Sequence, residues 1–363
     1  MKTTILVFLI ISASLFAFAQ DKNVWYSFSD TTKELTGFKD IDGNVMIEPK
    51  FMGYTVARRF INMVAVMEEV NGSYESYYLL KNGKEFGTDS MYVFDATFDC
   101  EKEGYIRFRD SAKDKTGFFD STGTVAIPAL YNDATPFCNG VAIVLKDAKK
   151  EYRHKKKHKG CNHWSWVGGT SLLIDQKNNI LVEGIDYDIA YDYYSLEKSG
   201  KKHQDTCRVS YLGTDKQYYS MIDMEKHFKV WLVDLLENLD AAKLVKNSMD
   251  EVSLWTAQDG WIFKKSGKLI TENYELLHSR LTSIRQPKAD YFISLQGLNP
   301  YIYSGEKYFR YFDGCGNADK DKYPVFSLVI NHQLPDNDTF QDNFDFLKTS
   351  DGYKLISYTL RNK

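Results

Sequence analysis

"TGFFDSTGTVAIPALYNDATPFCNGVAIV", residues 116–144, sets two short apolar runs about an Asp-x-x-Gly turn, then adds a proline, an aromatic residue and a third apolar run. Much of it occurs earlier as "TGFKDIDGNVMIEPKF", residues 36–51. The two segments match at Thr36 and Thr116, Gly37 and Gly117, Phe38 and Phe118, and Asp40 and Asp120. The match continues through Gly43/Gly123, Val45/Val125, Ile47/Ile127 and Phe51/Tyr131, and "VAV" at 64–66 corresponds to "VAI" at 141–143. A weaker copy, "YLLKNGKEF" at 78–86, places Gly83 midway between Gly43 and Gly123. A fourth, "LLIDQKNNILVEGIDYD" at 172–188, has Asn178 in the turn, and a truncated fifth begins at "YYSMID", 218–223. A period of about 40 residues is the mark of a repeat architecture.

Each unit reads as a strand pair. Asp120 can accept hydrogen bonds from the backbone ahead of it, and Gly123 supplies the positive φ of a tight reversal. The segment after Pro128 leaves the hairpin, and "GVAIV" returns as another strand. One hairpin cannot bury both of its faces, so neighbouring units must stack. The predicted fold is therefore mainly β: an array of β-hairpin repeats, solenoid or propeller-like, over residues 20–220, followed by an α+β domain over 221–363.

The pattern resembles the WG repeat family of bacterial proteins. Gly37-Phe38 and Gly117-Phe118 carry the Gly-aromatic pair, and Pro128, Tyr131, Phe137, Gly140, Ala142 and Val144 complete the best copy. The resemblance covers roughly residues 25–220. Thr36 and Thr116 stand where the family has its tryptophan. The resemblance implies a binding or scaffolding array with no common catalytic centre. Such an array predicts no buried cluster of titratable groups.

Composition sets the outer limits. The 363 residues are 43% apolar and include 25 Tyr and 23 Phe, a usage that suits strands. A formal net charge of −3 argues against a dedicated polyanion binder and predicts no sequence-specific nucleic-acid partner. "MKTTILVFLIISASLFAFAQ" carries Lys2, an apolar run from Ile5 to Phe18 and the small-x-small end Ala17-Phe18-Ala19. This reads as a signal peptide over 1–19, giving an exported protein (periplasmic, cell-surface or secreted) that starts at Gln20. No Cys follows the apolar run to carry a lipid anchor, and no later segment reads as a membrane span. Export permits disulfides among Cys100, Cys138, Cys161, Cys207 and Cys315; five is odd, and the spacing selects no pairing.

An insertion, "KDAKKEYRHKKKHKGCNHWSWVGG", separates the third and fourth units, with seven Lys or Arg from Lys149 to Lys159. His154, His158, Cys161 and His163 offer nitrogen and sulfur donors of the kind zinc takes. Adjacent cations oppose a divalent ion there, and otherwise no cofactor is predicted. Lys155, Lys156 and Lys157, with Trp164 and Trp166, instead suit an anionic glycan, another acidic envelope surface or a protein. Left to themselves, the two indoles at alternate positions would share one packed face.

Near residue 224 the pattern changes. Phe228, Trp231, Leu232, Leu235, Leu236 and Leu239 give one apolar helix face, and Asp240 can cap a second helix, "AAKLVKNSM". A strand-like stretch follows at 260–270, also readable as a resumed repeat hairpin. Thr271 is placed to cap a helix bearing Tyr274, Leu277 and Leu281, and strands are predicted at 290–295, 300–312, 325–333, 340–348 and 352–360. This order is similar to the nuclear transport factor two-like, or SnoaL-like, cone. The resemblance implies a pocket, in some relatives catalytic, for which Asp313, Asp345 or His278 would be the acid-base candidates. "DGCGNADKDK" at 313–322 lacks the closing Glu of a calcium loop and reads as a turn. No Gly-x-Ser-x-Gly, His-Glu-x-x-His or phosphate-loop motif occurs. The balance favours a non-catalytic binding protein over an enzyme.

Overall fold

The computed structural model describes residues 23–30, 32–152, 163–256, 258–333 and 339–360. The fold is mainly β. Its first four units are three-stranded antiparallel meanders: Trp25–Asp30, Leu35–Lys39 and Val45–Phe51; Met63–Val70, Ser73–Leu80 and Glu85–Phe86; Tyr105–Asp110, Lys115–Asp120 and Val125–Tyr131; Val141–Lys146, Thr170–Asp175 and Ile180–Glu183. The fifth joins Tyr191–Ser199, Arg208–Leu212 and Tyr218–Asp223, with the last strand in the middle. "YYSMID" is thus the return strand of the fifth unit and not its start. That unit's hairpin begins at Arg208, where Gly213 and Lys216 obscure the Asp-x-x-Gly signature.

One turn makes all five hairpins. Gly43 N donates to Asp40 O, and the same bond recurs from Gly83 to Leu80, Gly123 to Asp120, Asn178 to Asp175 and Lys216 to Gly213. The residue at the turn's end has φ of 90°, 84°, 73°, 63° and 63° in the five copies, which explains glycine in three and asparagine in a fourth. The glycine of the Gly-aromatic pair has another role. A Cβ on Gly117 would lie 2.5 Å from Ile127 O and 2.8 Å from Ala129 N, and one on Gly37 would lie 2.5 Å from Ile47 O. Both face a register shift in the neighbouring strand, between Thr116 and Phe118 and between Thr36 and Phe38. Glycine lets that bulged strand come close.

Alternate residues of one strand enter different cores. Val64 and Val66 pack with Phe38 and Phe51 of the first unit, whereas Met63 and Ala65 pack with Ile106 and Phe108 of the third. Phe119 joins the core shared with the second unit, and Phe118 joins the core shared with the fourth. Ala142 and Val144 face back to Phe118, while Val141 and Ile143 face on to Tyr191 and Met221. Inner strands are therefore apolar at consecutive positions, as sheets covered on both faces must be. Among the described residues no core joins the fifth unit to the first.

The C-terminal part has helices Met224–Leu236, Ala241–Lys246, Ser266–Glu272 and Tyr274–Thr282 beside a six-stranded sheet. Asp223 and Asp240 cap the first two, accepting from Lys226 N at 3.0 Å and Lys243 N at 2.7 Å. Strand order across the sheet is Gly260–Lys265, Ser248–Thr256, Gly352–Thr359, Thr339–Thr349, Val325–Gln333 and Tyr291–Gln296. Ser248–Thr256 runs parallel to Gly352–Thr359, and the other pairs are antiparallel.

Four expectations fail here. The second helix stops at Lys246, since Ser248 starts a strand whose Val252 and Leu254 face the core. The stretch from Gly260 is a strand only to Lys265 and does not resume the array, because Ser266–Glu272 is helical. Thr271 lies inside that helix, its hydroxyl donating to Gly267 O at 2.7 Å, and caps nothing. Residues 300–312 are not a strand. Gly305 has φ 96°, and Glu306–Tyr311 is a 3-10 turn burying Tyr308 and Tyr311, three residues apart.

Residues 311–323 tie the two parts together. Arg58 N and Arg59 N both donate to Gly314 O at 2.9 Å, and Arg59 Nη2 donates to Phe312 O at 2.8 Å. Cys100 and Cys315 form a disulfide, with Cα atoms 5.9 Å apart. The Asp313–Asn317 segment repeats the array's turn, with Gly316 N donating to Asp313 O. Lys102 Nζ sits 3.1 Å from Asp319 and 3.0 Å from Asp321, and Lys348 Nζ lies 2.7 Å from Asp192. Cys138 and Cys207 are unpaired and buried, and Cys161 lies outside the described residues.

Candidate functional site

The insertion opens as a hairpin, Lys149–Tyr152 pairing with Trp164–Val167. Lys150 stands opposite Trp166 and Tyr152 opposite Trp164, so strand alternation sets all four on one face. The indoles of Trp164 and Trp166 meet edge-on with centroids 4.8 Å apart. Lys150 Nζ lies 4.2 Å from the centre of one ring and 5.2 Å from the other. Trp164 is 39% exposed and Tyr152 54%, so much of this face is exposed.

The third unit supports this face. Lys150 Nζ lies 2.6 Å from Asp114, which also pairs with Arg109. Burial opposes the charge on Asp114, but hydrogen bonds from Lys150 and Arg109 outweigh it and hold the carboxyl below its ordinary range. Arg109 Nη1 donates to Thr116 Oγ1 at 3.0 Å and to Asn132 O at 3.1 Å, and its guanidinium lies 5.8 Å from the Trp166 ring. Arg109 thus links Thr116 to an indole supplied by the insertion.

Trp164 and Trp166 are thus brought together on one face, which is partly exposed where a packed face was the alternative expectation. Lys150, Arg109 and Asp114 were not singled out from sequence. Period-two alternation could have found Lys150, but nothing local marks Arg109. His154, Lys155, Lys156, Lys157, His158 and Cys161 lie outside the described residues, and His163 is exposed just before Trp164. Among the described residues no group of three His, Cys, Asp or Glu is placed to hold a metal.

Residues 117–149 match the WG containing repeat family. No curated protein matches the chain. The matched WG repeat runs from the Gly-aromatic pair of the third unit to the first residue of the inserted hairpin. The basic and aromatic face therefore begins where the repeat ends. Among the described residues no helix is long and apolar enough to cross a membrane.

Among the described residues partly buried charged clusters run against the expectation of none, Arg107 with Asp99 and Lys102 with Asp319 and Asp321 among them. Arg107 bonds Asp99 through Nε at 2.9 Å and Nη2 at 2.5 Å, donates to Ala134 O at 2.8 Å and stacks 4.1 Å from the Tyr92 ring centre. Lys102 is the second. Burial would discharge it, but Asp321 first and Asp319 after it hold the ammonium charged. Cys138 Sγ lies 3.5 Å from Asp321, and burial followed by that carboxylate pushes its thiol up to about 12, the opposite of an activated cysteine. Both clusters join parts of the fold. Of the acid-base candidates, His278 packs at a tilt against Tyr274 with centroids 5.4 Å apart, and Asp313 accepts from Cys315 N and Asn317 N within its turn. Asp345 alone of the three lines the C-terminal cleft.

Proposed function

We propose that this is an exported, non-catalytic binding protein whose WG-type array presents the hairpin face of Lys150, Trp164 and Trp166 to an anionic glycan of the cell envelope. The observation that carries the reading is the pair of indoles, partly exposed and held among cations on an otherwise near-neutral protein. Indole faces suit the apolar side of a sugar ring, and the Lys149–Lys159 run supplies charge for its carboxylates or sulfates. The signal-like segment 1–19 supports export, as does the Cys100–Cys315 disulfide, a bond that persists in oxidising compartments. The C-terminal part is read as a nuclear transport factor two-like cone. That reading is supported by its strand order and by the packing of Phe228 against Phe326 and Phe346 of the sheet.

Polygalacturonate and heparin serve as acidic probes, with dextran as the neutral control. Binding to an acidic probe is expected to weaken as salt rises, and Trp164→Ala with Trp166→Ala is expected to reduce affinity by roughly tenfold or more. Equal binding to dextran, or undiminished binding by the folded double variant, would overturn the proposal.

A further inference from the structure

Five strands of the C-terminal sheet carry a polar row in direct register. Ser253 pairs with Ser357, Ser357 with Asp345, Asp345 with Ser327, and Ser327 with Ser294. Phe326, Leu328, Phe344 and Phe346 carry the helix-side core, so alternation puts the row on the sheet's other face, under residues 297–318. Polar groups are costly to bury without partners. Ser327 Oγ donates to Asp345, Ser253 Oγ and Tyr303 Oη are 2.7 Å apart, and Gln296 Nε2 lies 3.4 Å from Asp345 Oδ1. Ser357 is 2% exposed, and its Oγ has no hydrogen bond of good geometry although Asp345 and Tyr303 flank it.

Asp345 and Ser357 line a cleft of about 540 Å³ with apolar walls from Leu298, Ile302, Val325 and Ile356. Trp261 and Tyr301, which also line it, are 41% and 92% exposed. Asp345 is the one formally charged residue in the lining. Ser327, Ser357 and Gln296 of the sheet lie against the carboxyl, and Tyr303, Asn299 and Asn317 of the covering segment line the same cleft; of these only Tyr303 titrates. Burial holds the Asp345 carboxyl above its ordinary range, and no cation opposes it.

We propose that this cleft binds a small organic cation, an ammonium group on an apolar or aromatic body, with Asp345 as its counter-charge. A lone carboxyl among apolar walls is complemented by one positive charge on an otherwise apolar ligand. Aromatic faces at Trp261 and Tyr301 add cation–π attraction. The cleft is separate from the hairpin, so this site stands whatever the outcome there.

The test titrates the full chain with benzylammonium, phenethylammonium and choline, each beside its uncharged counterpart: benzyl alcohol, 2-phenylethanol and 3,3-dimethylbutanol. At least one cation is expected to bind more tightly than its counterpart by about tenfold or more. Its affinity is expected to fall as pH is lowered and the carboxyl takes up a proton. Asp345→Asn, checked for folding by thermal melt, is expected to lose about a hundredfold. Should that variant not fold, Trp261→Ala is expected to weaken the cation by several-fold while leaving its uncharged counterpart less affected. Absence of binding by all three cations, equal binding by their counterparts, or undiminished binding by folded Asp345→Asn or Trp261→Ala would overturn the proposal.

Discussion

Replacing Cys100 and Cys315 together by serine is expected to lower the unfolding free energy by about 5 kcal/mol. The bond spans 215 residues, and cross-linking so long a loop removes a large share of the unfolded chain's freedom. It also lies at the centre of the contact between the repeat array and residues 311–323, next to Gly314 and its bonds to Arg58 and Arg59. The expected readout is a lower denaturation midpoint for the double-serine variant than for the oxidised parent. A reductant should move the parent to the same midpoint and leave the variant unchanged. A variant within about 1 kcal/mol of the oxidised parent would show that the bond contributes little to cohesion.

The second large effect belongs to Arg107. Its side chain is 13% exposed and that of Asp99 is 7%, so the pair is shielded from solvent. Arg107→Met keeps much of the volume but strands the Asp99 carboxylate between the second and third units, a loss of about 3–5 kcal/mol. Arg107→Lys is not expected to restore it. A single ammonium cannot reproduce the forked bond to Asp99, the bond to Ala134 O and the stacking on Tyr92. Adding Asp99→Leu to Arg107→Met is expected to recover much of the loss, since the pair's cost lies largely in desolvation. Urea unfolding of the three variants separates these outcomes. A single Met variant as stable as the parent would contradict the assignment.

The repeat was legible because its signals are local. Asp120, Gly123 and the two apolar runs around them specify a hairpin without help from the rest of the chain, and one turn recurs at each copy. The first helix was legible for the same reason, from the spacing of Phe228, Leu232, Leu235 and Leu236. Residues 300–312 misled because Tyr301 with Tyr303, and Phe309 with Tyr311, are spaced as in a strand, while tertiary packing buries Tyr308 and Tyr311 on a 3-10 turn. The Cys100–Cys315 pairing was hidden by its long separation. Arg109 and the polar row were hidden likewise, since each depends on register between strands that are distant in sequence.

Hydrogen–deuterium exchange of the oxidised protein with and without a saturating acidic glycan would test most directly the claim that the protein works through the inserted hairpin. The account predicts slowed exchange at Lys149–Tyr152 and Trp164–Val167 and at Tyr105–Asp110 beneath them, with the C-terminal sheet unchanged. Protection confined to the C-terminal sheet, or none anywhere under conditions where binding is saturated, would contradict it.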